Sequence, residues 1–277
     1  MTYADGAKVI VVDDASTDRS VSWIQAHYPQ VKLIINPTNL GFAASVNLGF
    51  TKSRTNLVLL LNNDVSINAH TIKHLVPVFN NSKIFAVGCL EKLPGGKTRG
   101  KSRASFLRGM FIHRSVKQAG SGPTIWVFAA SGMFRKSIWD NLGGLDELYK
   151  PAYYEDIDIC YRAWKQGYQC LFHPSATVKH QAEATMNAAL GGRKTAYVFK
   201  NQLLFIWKNI TDPRLLIQHL LWLPYHLTIT AYKTKGAFIH GFVLALLQLP
   251  QALVHRRHQH FIFTDHQVFI DSSSPKP

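Results

Sequence analysis

The side chains of this sequence that could do chemistry are carboxylates and one histidine, and most of them stand at the ends of apolar segments. Asp13 and Asp14 follow the first such segment, where a carboxylate can accept hydrogen bonds from a nucleobase or a ribose hydroxyl. Asp14 could equally cap the following turn, which is a common use of Asp side chains. The pair indicates a nucleotide contact, and a turn is the alternative.

Asp64 and His180 stand after two later apolar segments and could hold a divalent cation. Mg²⁺ and Mn²⁺ prefer oxygen ligands, commonly one or two carboxylates together with substrate phosphates. Asp64 could supply such a ligand, although Asn62-Asn63-Asp64 would also make a polar turn. A neutral imidazole at His180 could bind the cation or a phosphate oxygen, although a lone histidine is more often an ordinary surface residue.

Glu155, Asp156 and Asp158 place three carboxylates within four residues. Such a cluster is costly unless its members are paired or used in catalysis. If a helix begins here, Asp158 and Arg162 lie four residues apart and can pair, which leaves Glu155 and Asp156 at the helix N-terminus facing a cleft. A carboxylate in that position can act as a general base. The alternative is that these charges only complement the helix dipole.

Apolar runs alternate with helical segments in the first two thirds of the chain. This alternation predicts an α/β sheet flanked by helices, in which ligands gather at the carboxyl ends of the strands. The predicted strands cover residues 8–12, 31–35, 56–61, 85–89, 125–130 and part of 169–179. The predicted helices cover 20–27, 41–50, 68–79 and 159–166. The basic stretch 91–122 lacks periodicity and is predicted to be a loop or an excursion from the sheet.

The chain has 277 residues, of which 47% are hydrophobic and 17% are charged, and its formal net charge is +15. This balance favours an anionic partner, which could be nucleic acid, acidic lipid or a phosphate-bearing substrate. The sequence carries no nucleic-acid recognition motif and no aromatic and basic stacking surface, so we expect no nucleic-acid partner. Three cysteines without a CxxC pair are typical of a reduced, cytosolic protein.

Two stretches, 215–232 and 236–254, contain no Lys, Arg, Asp or Glu and are bracketed by basic residues. We predict amphipathic helices that lie in the interface of an anionic membrane, with the protein peripheral on the cytoplasmic, inner face of the plasma membrane. A helical hairpin through the membrane and packing against the rest of the chain are the alternatives. The predicted organisation is an α/β domain over 1–185, a helical membrane-associating region over 186–270 and a disordered tail over 271–277.

Seven motifs follow one another along residues 11–180: VVDDASTD from Val11, NLGFAASVNLG from Asn39, LLLNND from Leu59, SGM from Ser131, GGLDE from Gly143, EDIDICYR from Glu155 and PSATVKH from Pro174. Together they resemble the motifs of the family 2 glycosyltransferases, which have the GT-A fold. The resemblance implies a mostly parallel sheet flanked by helices and a catalytic domain over 1–185. The subgroup that it most resembles makes bacterial surface polysaccharides and includes many rhamnosyltransferases.

The resemblance also implies roles for individual residues in binding the donor. Asp13, Asp14 and Asn47 would contact the nucleotide of a nucleotide-diphosphate sugar. Asp64 and His180 would hold a divalent metal, Mg²⁺ or Mn²⁺, against the diphosphate. The implied reaction moves the sugar to a glycan or lipid-linked acceptor, with inversion, in the synthesis of cell-surface polysaccharide.

The base of this implied reaction is Asp156, which would deprotonate the acceptor hydroxyl with support from Glu155. The sequence departs from the family pattern at Asn62, which replaces the first carboxylate of the DxD motif. It departs again at its start, because family members usually carry an apolar strand and a helix ahead of the segment equivalent to 9–13. The resemblance therefore predicts a sheet that lacks one central strand and part of the nucleotide pocket.

A non-catalytic, membrane-binding remnant of a transferase is the alternative function. The predicted lack of a strand supports it. The complete set of Asp64, Asp156 and His180 argues for the enzyme, and we expect these three side chains to converge on one pocket.

Overall fold

The computed structural model describes residues 7–117, 120–181, 191–257 and 261–273, so residues 274–277 of the predicted tail lie outside it. Its strands are β1 (Ile10–Asp13), β2 (Lys32–Ile35), β3 (Leu57–Leu61), β4 (Val65–Ile67), β5 (Ile84–Lys92), β6 (Thr98–Arg99), β7 (Ser102–Leu107), β8 (Met110–Ser115), β9 (Gly122–Pro123), β10 (Ser131–Arg135) and β11 (Gln169–His180). Its helices are α1 (Ser20–His27), α2 (Phe42–Lys52), α3 (Thr71–Leu75), α4 (Lys136–Asn141), α5 (Glu155–Lys165), α6 (Lys194–Asn209), α7 (Pro213–Tyr225), α8 (Ala231–Lys233), α9 (Ala237–Leu247), α10 (Leu249–Arg257) and α11 (Asp265–Asp271). The predicted α/β class is confirmed.

The central sheet follows the order β3-β10-β5-β11-β4, with β6 paired to β5 and β9 paired to β11. Only the pairing of β5 with β11 is parallel, so the expectation of a mostly parallel sheet is wrong for these strands. β10 runs antiparallel between β3 and β5, and β4 runs antiparallel along β11. A continuous apolar run indicates that a strand is covered on both faces. Central antiparallel strands are covered in this way as well as parallel ones, so the run does not determine the direction of the strand.

β1 and β2 form a separate parallel ladder. Within the described residues, β1 pairs only with β2, and β3 pairs only with β10. α2 packs on β1, where Gly49 lies against Val12. On its other side, Phe50 of α2 stacks on Trp139 with ring centroids 3.7 Å apart. The ladder is therefore joined to the rest of the fold through side-chain packing on α2.

The stretch 91–122, predicted to be a loop, contains a β-hairpin made of β7 and β8. Its two-residue turn is Arg108-Gly109, and both residues have positive φ, as in the turns that favour tight hairpins. The strand predicted over 125–130 is also wrong, because this buried segment is irregular and the strand begins at Ser131. Among the described residues, its amides do not form a ladder with a neighbouring strand; the amide of Ile125, for example, donates to the carbonyl of Ser102. The apolar side chains of this segment therefore indicate that it is buried, and not that it is a strand.

Two predicted helices change their bounds. α5 begins at Glu155, four residues before the predicted start, because acidic side chains in a first turn suit the positive end of the helix dipole. The helix predicted over 68–79 divides into α3 and the 3₁₀ turn Val76–Asn80. Pro77 lies at the start of that turn, where its missing N–H removes a helical hydrogen bond.

The C-terminal helices have two kinds of surface. α6 lies in the main core, and Leu203, Leu204, Phe205 and Ile206 are fully buried. α7 and α9 expose large apolar side chains at helical spacing: Ile217, Leu220 and Leu221 on α7, and Ile239, Val243, Leu246 and Leu247 on α9. In the described residues no single helix is long and apolar enough to cross a bilayer, whereas α9 and α10 reach that length and composition as a pair bent by 57°.

Candidate active site

Asp64 and His180 meet where β3 ends and β11 ends. β4 begins at Val65, which pairs with His180 across the ladder, so the preceding residue, Asp64, lies beside that imidazole. The distance between His180 Nε2 and Asp64 Oδ2 is 3.2 Å. The other oxygen, Asp64 Oδ1, is buried and has no hydrogen-bond partner. The side chain is 34% exposed, so a ligand can reach it.

A buried carboxylate that the sequence analysis did not identify lies behind this pair. Glu91 of β5 is fully buried, and its Oε2 is 3.0 Å from His180 Nδ1 and 2.6 Å from Arg99 Nε. Its Oε1 accepts a hydrogen bond from Ser131 Oγ at 2.5 Å. Glu91 and Arg99 stand directly opposite each other in the β5–β6 ladder. This contact could not be predicted from a basic loop, because a residue in a loop has no defined partner on a neighbouring strand.

Asp156 and Glu155 open α5 immediately after two residues with strained backbone. Tyr153 and Tyr154 have φ of 75° and 81°, a left-handed conformation that is costly for bulky side chains and common at functional sites. Burial raises the pKa of Asp156 to about 6, against hydrogen bonds from the backbone of Ile157 and Ala129 and the nearby Arg99 charge. Burial and the neighbouring Asp156 raise the pKa of Glu155 to about 8.

Arg99 interacts both with His180, which contacts Asp64, and with Asp156. Its guanidinium binds Glu91, lies 3.3 Å from His180 Nδ1 and is close enough to Asp156 to favour its ionised form. It also lies over the ring of Phe128, 4.8 Å from the centroid. The structure therefore brings Asp64 and His180 into contact and places Asp156 near the Arg99 guanidinium that contacts His180.

Polar side chains of α6 hold the strained turn ahead of Asp156. Asn201 is fully buried, and its Nδ2 lies within 2.9 Å of three backbone oxygens, those of Tyr149, Ala152 and Tyr153. Lys200 donates to the carbonyl of Lys150. Neither residue belongs to a sequence motif. The available signal was a group of polar residues on one side of a largely apolar helix.

Asp158 is a structural charge. As predicted, it pairs with Arg162, at 2.7 Å, and it also binds Lys208 and Asn209 of α6. Burial opposes its ionisation, but Arg162 and Lys208 together hold the pKa of Asp158 well below its usual range. Because its charge is used in these contacts, Asp156 and Glu155 are the remaining candidates for a catalytic carboxylate on this helix.

The residues predicted to contact a nucleotide lie in the β1 and α2 region. Asp13 is buried and accepts a hydrogen bond from the amide of Ser16. Asp14 accepts hydrogen bonds from Asn36 and from the amides of Leu40 and Gly41, which organises the loop before α2. Their contact with a nucleotide stays a prediction.

Asn47, the third predicted nucleotide contact, forms two hydrogen bonds with one backbone residue. Its Nδ2 donates to the carbonyl of Leu145, and its Oδ1 accepts from the amide of the same residue, at 2.8 and 2.9 Å. This pairing joins α2 to the segment ahead of α5. A direct contact of Asn47 with the nucleotide stays a prediction.

The donor set at Asp64 and His180 fits a hard divalent cation in part. The unpartnered Asp64 Oδ1 is an oxygen ligand of the kind that Mg²⁺ and Mn²⁺ prefer. Among the described residues, however, no group of three or more His, Cys, Asp or Glu side chains could hold a metal ion. The two residues therefore suit a cation that takes its remaining ligands from substrate phosphates and water.

Residues 3–142, just over half of the chain, match the sequence model of Glycosyl transferase family 2. The chain is similar to the N-acetylglucosaminyl-diphospho-decaprenol L-rhamnosyltransferase of Mycobacterium tuberculosis, with 26% identity over 226 residues, which cover 69% of this chain and 73% of that protein. It is also similar to the uncharacterized protein y4gI of Sinorhizobium fredii, with 24% identity over 194 residues, 64% of this chain. The chain spans only 21% of the length of y4gI.

Among solved structures, the chain is similar to GalNAc-T7 in complex with UDP, GalNAc and Mn²⁺. The TM-score is 0.61 at 15% identity, and the match covers 92% of this chain and 52% of that chain. This likeness shows the fold, which is the GT-A fold.

The raised pKa of Glu155 predicts how the stability of the protein depends on pH. From its usual 4.5 up to about 8, folded Glu155 keeps a proton that the unfolded chain has lost, so the free energy of unfolding falls as pH rises. Glu155→Gln should remove this slope and stabilise the protein at pH 8 by on the order of 4 kcal/mol. Urea unfolding between pH 5 and 8 measures it, against exposed Glu147→Gln as control. Parallel curves for wild type and Glu155→Gln would refute the assignment.

Proposed function

The chain belongs to glycosyl transferase family 2, and we propose that it moves a hexosyl or deoxyhexosyl group from a nucleotide-diphosphate sugar to a glycan or lipid-linked acceptor, with inversion. The observation that carries this proposal is Asp156, a carboxylate of raised pKa beside the same Arg99 that contacts His180. The Mycobacterium relative is named for an N-acetylglucosaminyl-diphospho-decaprenol acceptor, which supports a lipid-linked acceptor in cell-surface polysaccharide synthesis.

Asp156 is the proposed base. Its pKa of about 6 leaves it ionised at neutral pH yet basic enough to take a proton in the transition state. As the acceptor oxygen bonds to the anomeric carbon, the bond from that carbon to the leaving nucleoside diphosphate breaks, and the hydroxyl proton moves to Asp156. Glu155, with a pKa of about 8, is protonated at neutral pH, so it does not compete for that proton.

Asp64 and His180 are the proposed holders of a divalent metal, Mg²⁺ or Mn²⁺, which when bound supplies positive charge opposite the leaving diphosphate. The contact with His180 holds one oxygen of Asp64, and the other has no hydrogen-bond partner among the described residues and can serve as a ligand. Arg99 adds a fixed positive charge between this pair and Asp156. Charges fixed in advance where negative charge develops are usually the largest catalytic term.

Two substitutions separate proton transfer from donor binding. Asp156→Asn should lower turnover by about 100-fold or more, because the amide cannot accept the proton, and should leave nucleotide binding unchanged. Asp64→Ala should instead abolish the Mn²⁺-dependent part of nucleotide binding. Calorimetric titration with nucleoside diphosphates and a diphosphate-release assay over uridine, guanosine and thymidine diphosphate sugars measure the two effects. Near-normal turnover of Asp156→Asn would overturn its role, and no release from any donor would favour the non-catalytic alternative.

The pKa of Asp156 also sets an acid limit for the reaction. The base is active when deprotonated, so kcat/KM should rise tenfold per pH unit below about 6 and level off above it. Initial rates between pH 4.5 and 8 at subsaturating donor test this prediction. A profile that is flat through pH 6 would contradict it.

We also propose that α7 and α9 bind the surface of an anionic membrane, at its cytoplasmic face. Their exposed side chains Leu220, Leu221 and Leu247 are 65%, 75% and 74% accessible, and large groups of exposed apolar side chains are typical of surfaces that bind proteins or membranes. The sequence between residues 213 and 264 contains no Asp or Glu, whereas it carries Arg214, Lys233, Lys235, Arg256 and Arg257. An apolar face with basic flanks suits the interface of anionic lipids.

The paired substitution Leu220→Gln and Leu221→Gln should weaken binding to anionic lipid vesicles by at least about tenfold, because both side chains lose their apolar burial. Gln keeps the helix propensity high. Co-sedimentation with phosphatidylglycerol and with phosphatidylcholine vesicles measures it. Trp23→Gln with Ile35→Gln, at exposed positions near the N-terminus, is the matched control. Unchanged sedimentation of the α7 variant, or equal binding to both lipids, would refute the membrane surface.

A further inference from the structure

We propose that Asn201 of α6 is a positioning residue for the reaction, because it holds the backbone turn ahead of α5 and thereby fixes the place of Asp156. This inference rests on the proposed function of Asp156 as the base and extends it to a residue outside the sequence motifs. Asn201 contacts neither donor nor acceptor in this assignment, and it acts through the backbone of residues 149–154.

The first argument is the number of backbone groups that this one side chain binds. Asn201 is fully buried. Its Nδ2 lies 2.7, 2.8 and 2.9 Å from the carbonyl oxygens of Tyr149, Ala152 and Tyr153. A carboxamide nitrogen carries two N–H donors, which these three acceptors share. The reverse orientation of the amide would set Oδ1 against three carbonyl oxygens, and acceptors repel each other. The contacts therefore fix the amide as well as the turn.

The second argument is the strain in the backbone that Asn201 holds. Tyr153 and Tyr154 have φ of 75° and 81°, and bulky residues keep this left-handed conformation only where the surrounding structure imposes it. The carbonyl of Tyr153 belongs to the peptide group between these two residues, and Asn201 donates to it. Rotation of that peptide group would relax the turn. The hydrogen bond from Asn201 opposes this rotation directly.

The third argument is the short path from this peptide group to the proposed base. Tyr154 is the N-cap of α5, and its carbonyl accepts the hydrogen bond from the amide of Asp158 that closes the first helical turn. Asp156 lies within that turn, and its carboxylate interacts with the backbone amide of Ala129 and with Arg99. A shift of the Tyr154 carbonyl would displace the carboxylate from both groups. A displacement of about 1 Å at a reacting group can lower turnover about 100-fold.

The neighbouring residue, Gln202, provides a matched control. It is also buried on α6, and its Nε2 donates to the carbonyl of Phe111 in β8, at 2.7 Å, rather than to the turn. Gln202→Leu therefore removes a buried amide hydrogen bond of the same helix and leaves the backbone ahead of α5 untouched. Both positions precede the fully buried run of residues 203–206, which holds α6 in the core.

The test compares Asn201→Ser, Asn201→Leu and Gln202→Leu in the full chain, each alone and together with Asp156→Asn. Ser is the milder change at position 201, because its hydroxyl can still donate to one carbonyl. Each Asn201 variant should lower kcat by about 10–100-fold and leave nucleoside diphosphate affinity in Mn²⁺ unchanged, whereas Gln202→Leu should turn over like wild type. In the Asp156→Asn background, the Asn201 substitutions should cause no further loss, because they act through that carboxylate.

Diphosphate release from the uridine, guanosine or thymidine diphosphate sugar that wild type uses measures turnover, and urea unfolding gives the folded fraction of each variant. A general loss of folded protein would lower turnover by the same factor in both backgrounds. That result, or wild-type kcat in a folded Asn201→Leu, would overturn the proposal. Near-normal turnover of Asp156→Asn alone, or no release from any donor by wild type, would instead reject the proposed function.

Hydrogen exchange decides the role of Asn201 without turnover. The amide of Asp158 should exchange at least about fivefold faster in Asn201→Ser than in Gln202→Leu, because its acceptor, the Tyr154 carbonyl, belongs to the released turn. Mass spectrometry of the peptide over residues 150–160 measures this exchange. Equal exchange in the two variants would overturn the proposal whatever the activity.

Discussion

The orientation of the candidate catalytic helix depends on one buried charge, Asp158. Arg162 of the same helix and Lys208 of α6 both contact this carboxylate, and a buried charge is tolerated only when it is paired and hydrogen-bonded. Arg162 also donates to the carbonyls of Leu142 and Gly144, so the same ion pair fixes the segment ahead of α5. Loss of one partner would leave a charge uncompensated in the core. Asp156, the proposed base, lies two residues away and is therefore positioned by the core of the protein.

Several polar side chains of α6 are buried, and several apolar side chains of the helices after it are exposed. α6 buries Lys200, Asn201 and Lys208 against backbone carbonyls and carboxylates near α5, whereas α7 and α9 expose leucines. Buried polar groups of this kind need hydrogen-bond partners. Backbone carbonyls between Lys150 and Tyr153 supply them for Lys200 and Asn201. The carboxylates of Asp146 and Asp158 supply them for Lys208. The predicted boundary at residue 185 stays a prediction, but α6 supports the same turn that presents Asp156.

Local signals in the sequence identified much of the site, and long-range pairings account for what they missed. Asp64 and His180 follow apolar segments, and Asp156 belongs to a cluster of three carboxylates, so all three could be selected from their neighbours in sequence. Glu91 and Asn201 could not, because each is defined by partners on other elements, in one case 89 residues away. The same limit explains the fold errors. The strand predicted over 125–130 is buried by its neighbours, and nothing in its own residues separates burial from strand pairing.

Some residues of the family motifs already form hydrogen bonds within the protein, and others have an oxygen without a partner. Asn47 uses its amide on the backbone of Leu145, and Gly144 beside it has φ of 73°, where an added Cβ would lie 2.3 Å from Asn47 Oδ1. A side chain at position 144 would therefore break the contact between two motifs that lie far apart in the sequence. Asp64 is the opposite case, because one of its oxygens is buried without a partner. A match to a family motif thus indicates folding contacts as well as chemistry.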